Sequence, residues 1–246
     1  MRKRIKCSED LNTEGEVFDS RTLMDLYFLA NKGVIDALGG PVSTGTEANV
    51  CRAAGCDGRL VLKIYRVSTS NFRAMQEYLQ GDPRFGSVKG TKRAIVAAWA
   101  KKEFRNLKRA EAAGVRVPHP VAIRGNILVM ELIGQDDEPA PQLKDVDLDA
   151  QEAWRVFGLL TSYVSLLYNR AGLVHADLSE FNILYDGEPV LIDMGQSVTL
   201  DHPMAGRFLQ RDVANLARYF ARRYGVGSEE EIWARIRGVE WIKEEG

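Results

Sequence analysis

Apolar positions recur at helical spacing in several stretches of the chain and at strand spacing between them. In SRTLMDLYFLANKG, from Ser20, the residues Leu23, Met24, Tyr27 and Phe28 share a face, Ser20 stands at a capping position and Gly33 ends the run, which predicts a helix. From Val34 to Arg66 the pattern changes to short apolar runs broken by glycine turns. RLVLKIYR alternates and is rich in branched residues, as a strand requires. From Val67 to about Thr91 the periodicity fades, with Gly81, Asp82, Pro83, Gly86 and Gly90 scattered through it. A stretch of that length without regular structure is uncommon in a compact domain, so it reads as a partly helical, mobile insertion.

AIVAAWAKKEFRNLKRAEAAG then predicts a strong helix stopped by Gly114, and VAIRGNILVMEL two strands about Gly125-Asn126. Pro139 and Pro141 mark a connector. Residues 149–171 predict a helix, apolar at Trp154, Phe157, Leu160, Val164 and Leu167 and closed by Gly172. FNILYDGEPVLIDMG reads as strand, Asp186-Gly187 turn and strand, and GRFLQRDVANLARYFARRYG and SEEEIWARIRGVEWI as closing helices. Strands with one helix, a linker, then mostly helices make a two-lobed α+β arrangement, with an N-terminal lobe over residues 1–133 and a helical C-terminal lobe over 134–246.

Composition narrows this little. The chain has 246 residues, 45% hydrophobic and 27% charged, with a net charge of −1, so no global field draws it to nucleic acid or membrane. Charge is unevenly placed: Arg2, Lys3, Arg4 and Lys6 open the chain, and Arg84, Lys89, Lys92, Arg93, Lys101, Lys102, Arg105, Lys108 and Arg109 form a second basic cluster. A solvated helix face explains such a run, and an RNA-facing patch is its rival. Cys7, Cys51 and Cys56 have neither disulfide nor zinc spacing, and buried thiols in a reducing compartment are the expectation. With no run of bilayer length and no signal peptide, the location read is cytoplasmic.

The candidate chemistry lies in side chains that are weak signals singly. STGTEANV, carrying Ser43, Thr44, Gly45 and Glu47, is a small-residue turn before a strand, of the kind that lets backbone N–H groups approach a phosphate; an ordinary turn reads the same way. Lys63 sits in an apolar strand, where a lysine can also snorkel from a sheet edge. Glu103 is one helical glutamate among many. HADLSEFNIL carries Asp177 and Asn182 in a loop, and Asp193 ends the strand PVLID before Met194-Gly195. In that order the parts suit phosphoryl transfer from a nucleotide. Lys63, held by Glu103, offers the polyphosphate a cation. Asn182 and Asp193 offer hard oxygens to Mg²⁺, and Asp177 can orient an acceptor hydroxyl. Two like unit charges about 4 Å apart repel by about 4 kcal/mol at an effective dielectric near 20, so carboxylates beside a polyphosphate call for a divalent ion.

STGTEANV, LVLKIYR, AWAKKEFRNL, LVMELIGQDDEPAPQL, LVHADLSEFNIL, LIDMGQSV and DHPMAGRFLQRDVANLARYF together resemble the Rio family of atypical serine protein kinases, most nearly its first subgroup, over roughly residues 20–222. The resemblance implies a trimmed two-lobed protein-kinase-like fold without the activation loop and peptide-substrate subdomain. It implies ATP and Mg²⁺, with Mn²⁺ as an alternative, Met130 beside the adenine, and backbone groups of Glu131 and Ile133 at its edge. It also implies serine autophosphorylation, for which Ser68 and Ser70 are accessible candidates, and an ATPase activity in which phosphate passes to Asp193. The partner it implies is the small ribosomal subunit precursor and its RNA, with Lys89, Lys92 and Arg93 in contact; neither membrane nor DNA is expected. Three departures stand out: Ala176 where ordinary protein kinases carry arginine, Gly45 alone in place of a three-glycine loop, and Thr46 where many relatives have lysine. Two other readings stay open, a small-molecule kinase of the aminoglycoside or choline type and an assembly module that uses ATP as a conformational switch.

Overall fold

The computed structural model describes residues 18–55, 58–68, 72–82, 84–85, 90–135 and 138–238. The basic start, Cys7, Cys56, Ser70, Pro83, Gly86 and Lys89 lie outside them. Two compact units divide the chain. Residues 1–80, 84–105 and 118–139 form one; residues 81–83, 106–117 and 140–246 form the other.

The first unit begins with helix α1 (Ser20–Asn31). Its cap is Asp19 rather than Ser20: the Asp19 side chain accepts a hydrogen bond from the Thr22 N–H at 2.8 Å. Strands β1 (Ala37–Thr44), β2 (Ala48–Gly55), β3 (Gly58–Tyr65), β4 (Pro120–Arg124) and β5 (Ile127–Glu131) form one antiparallel sheet in the order β1-β2-β3-β5-β4. The Gly125-Asn126 turn sits between β4 and β5, with Gly125 at φ +55. A small ribbon, β6 (Gly134–Gln135) with β7 (Glu138–Pro139), ends the unit.

Alternation along β3 sorts its side chains. Leu60, Leu62 and Ile64 pack with Leu26 and Leu29 of α1. The opposite set includes Lys63 and Tyr65, and Tyr65 joins a second cluster with Ile95, Val96 and Trp99 of helix α3 (Lys92–Ala112).

Two findings go beyond the sequence pattern. The face of α1 shared by Leu23, Met24, Tyr27 and Phe28 is the exposed one, while Thr22, Asp25, Leu26 and Leu29 are buried. The two buried polar groups are satisfied from far along the chain. The Thr22 hydroxyl donates to Asn126 Oδ1 at 3.2 Å, and Arg124 Nε donates to Asp25 Oδ1 at 2.9 Å. The second concerns the insertion, expected to be partly helical. Its described part contains helix α2 (Phe72–Gln80), and Met75, Leu79 and Phe85 are buried in the second cluster. Those residues are packed core.

The second unit is mainly helical. Helix α4 (Ala150–Leu166) is capped by Asp149 and continues into a π-helical turn, Leu167–Ala171, closed by Gly172 at φ 60. Helices α5 (Ala205–Tyr224) and α6 (Glu229–Ile236) pack with it, and Phe157, Leu160, Phe220 and Ile232 are buried. The ring of Phe157 meets that of Phe220 edge-on at 5.4 Å. Trp154, placed on the apolar face by its spacing, is 39% exposed. Two small ribbons carry the loops: β8 (Leu173–Val174) with β11 (Val198–Thr199), and β9 (Ile183–Tyr185) with β10 (Pro189–Leu191).

Candidate active site

In the first unit Lys63 is not at a sheet edge. Strand β3 is the central one of five, and Lys63 is 9% exposed. Its Nζ lies 2.9 Å from Glu103 Oε1, and Glu103 is 1% exposed. A buried ion pair of this kind costs desolvation on both sides, so stability alone is a poor reason to keep it. It holds an ammonium at a set position. Glu103 is therefore a buried partner rather than a solvated helix residue.

The β1–β2 hairpin carries Ser43 and Thr44 at the end of β1 and Gly45 and Glu47 in the turn, all exposed. Gly45 donates its own N–H to the Ala48 carbonyl at 3.0 Å, which closes the turn. That N–H is thus not among those offered to a phosphate. Glu47 is fixed at the far side, its carbonyl accepting the Arg66 N–H at 2.9 Å. Met130 and Glu131 end β5. The Glu131 N–H donates to the His119 carbonyl at 2.9 Å, so only its carbonyl can meet a base. Ile133 lies just past the strand and is buried.

In the second unit Asp177 and Asn182 lie together. The Asn182 amide donates to the Asp177 carbonyl at 2.8 Å and to Asp177 Oδ2 at 3.0 Å. Gln196 Nε2 donates to the same Oδ2 at 3.1 Å. Both side-chain donors meet one carboxylate oxygen, and the other is directed to neither. The Asn182 amide nitrogen is committed, so its oxygen faces away as a hard ligand for a cation. Burial raises the Asp177 pKa and the Asp193 charge adds to it, against His175 and the Asn182 bond.

Two residues here have positive φ without being glycine: Ala176 at 66 and Asp193 at 61. That region costs an L residue roughly 1–2 kcal/mol, and tethers hold it. Asp212 of α5, 1% exposed, accepts the Ala176 N–H at 2.7 Å and the Leu178 N–H at 3.0 Å. Arg211 donates to the Ala176 carbonyl and Asn215 to the Leu178 carbonyl. On the Asp193 side, His175 Nε2 contacts the Ile192 carbonyl at 3.1 Å, and Ile192 donates its N–H to the Asn182 carbonyl at 3.0 Å. The Asn106 amide donates to the Met194 and Ser197 carbonyls, both at 2.9 Å.

Asp212, Asn106 and Gln196 were not singled out from the sequence. The signal that points to the first two is a polar residue on the buried stripe of a helix: Asp212 between Leu209 and Leu216, and Asn106 between Glu103 and Ala110. Of the basic cluster, Lys102 is fully buried, its ammonium over the rings of Trp99 at 5.3 Å and Tyr78 at 5.8 Å. Arg93 is paired with Asp19.

A sheet lysine paired with a helix glutamate beside a five-stranded antiparallel sheet, followed by a helical unit with an aspartate–asparagine loop and a strand-end aspartate, defines a protein-kinase-like fold. Residues 49–232 match the RIO domain, and the chain belongs to the RIO family of serine/threonine-protein kinases. It is 45% identical over 241 residues to the RIO-type serine/threonine-protein kinase Rio1 of Haloferax volcanii, covering 97% of this chain and 82% of that one. It is 44% identical over 223 residues to the human serine/threonine-protein kinase RIO1, covering 89% of this chain and 39% of the human one. The Rio2 kinase of Chaetomium thermophilum, solved as an ADP/Mg²⁺-phosphoaspartate complex, superposes with a TM-score of 0.64 at 25% identity, over 88% of this chain and 65% of that one. The expected α+β kinase-like fold is borne out, and family membership favours a protein kinase over the small-molecule kinase. Among the described residues no helix is long and apolar enough to cross a membrane.

Proposed function

We propose that the chain transfers the terminal phosphoryl group of ATP to a serine or threonine hydroxyl, with Lys63 on the polyphosphate and Asp177 on the acceptor. The observation that carries this is the buried Lys63–Glu103 pair at 2.9 Å, which fixes a cation on a central strand where packing alone calls for an apolar residue. Ser43, Thr44, Gly45 and Glu47 would cover the phosphates, and Met130, the Glu131 carbonyl and Ile133 would line the adenine. Asp177, oriented by Asn182 and Gln196, accepts a hydrogen bond from the acceptor hydroxyl and takes its proton as the new bond to phosphorus forms.

Asn182 and Asp193 would hold Mg²⁺. The fit rests on the committed Asn182 nitrogen, which leaves an amide oxygen, and on the left-handed backbone that presents Asp193. Bound there, the ion would supply charge neutralisation on the phosphates. A water-directed turnover, in which Asp193 itself receives the phosphoryl group before hydrolysis, is supported by the phosphoaspartate captured in the Chaetomium Rio2 kinase.

The finer role we assign is maturation of the small ribosomal subunit. It is supported by the Rio family resemblance and by the exposed cations Lys92, Lys101 and Arg105 of α3, which suit contact with RNA phosphates. Autophosphorylation at Ser68, which is exposed, belongs to the same reading.

The test is incubation with γ-labelled ATP and magnesium, followed by separation of acid-stable from hydroxylamine-labile label. Wild type should give both kinds, and Asp193→Asn should lose the labile one. Asp177→Asn should lose transfer more than ADP binding, and Lys63→Ala should weaken ADP binding. Wild-type turnover in Asp177→Asn would overturn the assignment. Salt-independent RNA binding, unchanged when Lys92 and Lys101 are neutralised, would overturn the RNA contact.

A further inference from the structure

Apart from the residues assigned to nucleotide, the first unit has an open cavity of about 470 Å³. Arg21, Arg93 and Arg124 line it, with Asp25, Thr91 and Ala97 among them. The charges do not cancel. Asp25, 4% exposed, accepts from Arg124 Nε at 2.9 Å, and among the described residues the two terminal nitrogens of that guanidinium have no hydrogen bond. Arg93 meets Asp19 through one terminal nitrogen. Arg21 has no hydrogen bond or ion pair among the described residues. Three guanidiniums against Asp19 and Asp25 leave a positive excess.

The N-terminus of α3 adds to it. A helix start has N–H groups without intrahelical partners, and here the Thr91 hydroxyl takes only that of Ala94, at a long 3.4 Å. The planar fork of a guanidinium suits a phosphate, and the Arg124 guanidinium is held over Phe28, its Cζ 4.0 Å from the ring centroid.

What surrounds the cavity decides between carriers of a phosphate. Asp19 and Asp25 would repel the neighbouring phosphates of a nucleic acid strand, whereas a single phosphate needs only the arginines. Beside them stands the exposed face of α1, with Leu23 51%, Met24 65%, Tyr27 52% and Phe28 39% exposed. At about 100° per residue, Met24 and Phe28 adjoin Arg21 on the helix surface. An apolar strip of this kind is what side chains flanking a phosphorylated residue would cover.

We propose that this cavity is a docking site for a phosphorylated serine or threonine on a protein segment, with the residues beside it lying on the Met24–Phe28 face. The site is separate from the nucleotide-binding residues, and the inference does not rest on their assignment.

The test uses the full chain and three fluorescent probes: a degenerate peptide library with a fixed central phosphoserine, the same library with serine, and a single-stranded oligouridine. Anisotropy should show the phosphoserine library binding about tenfold more tightly than the serine one, the scale of a charge-assisted hydrogen bond. Arg21→Ala should remove most of that preference. Because Arg21 has no partner among the described residues, its variant should melt as wild type does, as checked by circular dichroism. Met24→Ser should weaken both peptide libraries alike. Equal binding of the two libraries would overturn the proposal, as would a phosphoserine preference that survives Arg21→Ala. Oligouridine that displaces the phosphoserine library and is lost with Arg21 would overturn it in favour of RNA.

Discussion

Removing the Asp212 carboxylate tests whether long-range tethers set the loop that carries Asp177. In Asp212→Ala the N–H groups of Ala176 and Leu178 lose their acceptor while remaining buried. An unsatisfied buried N–H costs about 1–3 kcal/mol, so two cost about 2–6 kcal/mol. Part is offset. Burial raises the Asp212 pKa despite bonds that lower it, so the charge is itself held at a cost that alanine removes. A net loss of about 2–4 kcal/mol follows, or a fall in Tm of about 2–4 °C per kcal/mol for a chain of this length. Turnover should fall further than the unfolded fraction explains. Released from its tether, Ala176 leaves the left-handed region at φ 66 and carries Asp177 with it. Asp212→Asn should behave alike, more mildly: one oxygen can still accept, but the amide N–H₂ meets the second backbone N–H. Urea denaturation followed by tryptophan fluorescence and by circular dichroism measures the stability. Phosphate release at a temperature where each variant is folded measures the rest. If Asp212→Ala changed stability by less than about 0.5 kcal/mol, within the range of an ordinary surface substitution, the tether argument would be wrong. Unaltered turnover would be equally fatal to it.

Lys63→Met should lower stability by about 3–5 kcal/mol, because the buried Glu103 carboxylate loses the ammonium it faces; adding Glu103→Leu should restore melting but not ADP binding by calorimetry. The raised Asp177 pKa means the folded chain keeps that proton to higher pH than the unfolded one, so stability should decline as pH rises from 3.8 through the shifted value. Asp177→Asn should remove that decline from a denaturation series, and in wild type the acid limb of turnover should lie above the ordinary carboxylate range. Glu152 has the opposite sign: bonds from Arg155 and Tyr185 lower its pKa to about 2, so its small surface contribution is full above 4.5 and lost as pH falls toward 2. Glu152→Gln should flatten acid denaturation across that window.

The elements that were legible in the sequence are those decided by neighbours in the chain. Gly125-Asn126 and Asp186-Gly187 turn the chain between paired strands, and Gly114 ends α3 at φ +87. The orientation of α1 was illegible for a different reason. Leu26 and Leu29 are as apolar as the exposed Leu23 and Met24, so periodicity does not choose between faces. The choice falls to Asn126, 104 positions from Thr22, and to Arg124, 99 positions from Asp25. The insertion looked irregular because Met75 and Leu79 pack against Tyr65 and Trp99, which lie outside it. The site divides along the same line. Lys63, Asp177, Asn182 and Asp193 were singled out because phosphoryl transfer needs those groups in that order, a chemical requirement visible in one dimension. The groups that aim them, Asp212 and Asn106, bond to backbone 34 to 91 positions away and belong to no local motif. Their mark is nonetheless local. A carboxylate between Leu209 and Leu216, on the stripe that buries Val213 and Phe220, is a charge where burial alone would select leucine. Its cost is accepted because the neighbouring loop has backbone donors that nothing else satisfies, so a polar residue on a buried stripe points to the loop whose shape it holds.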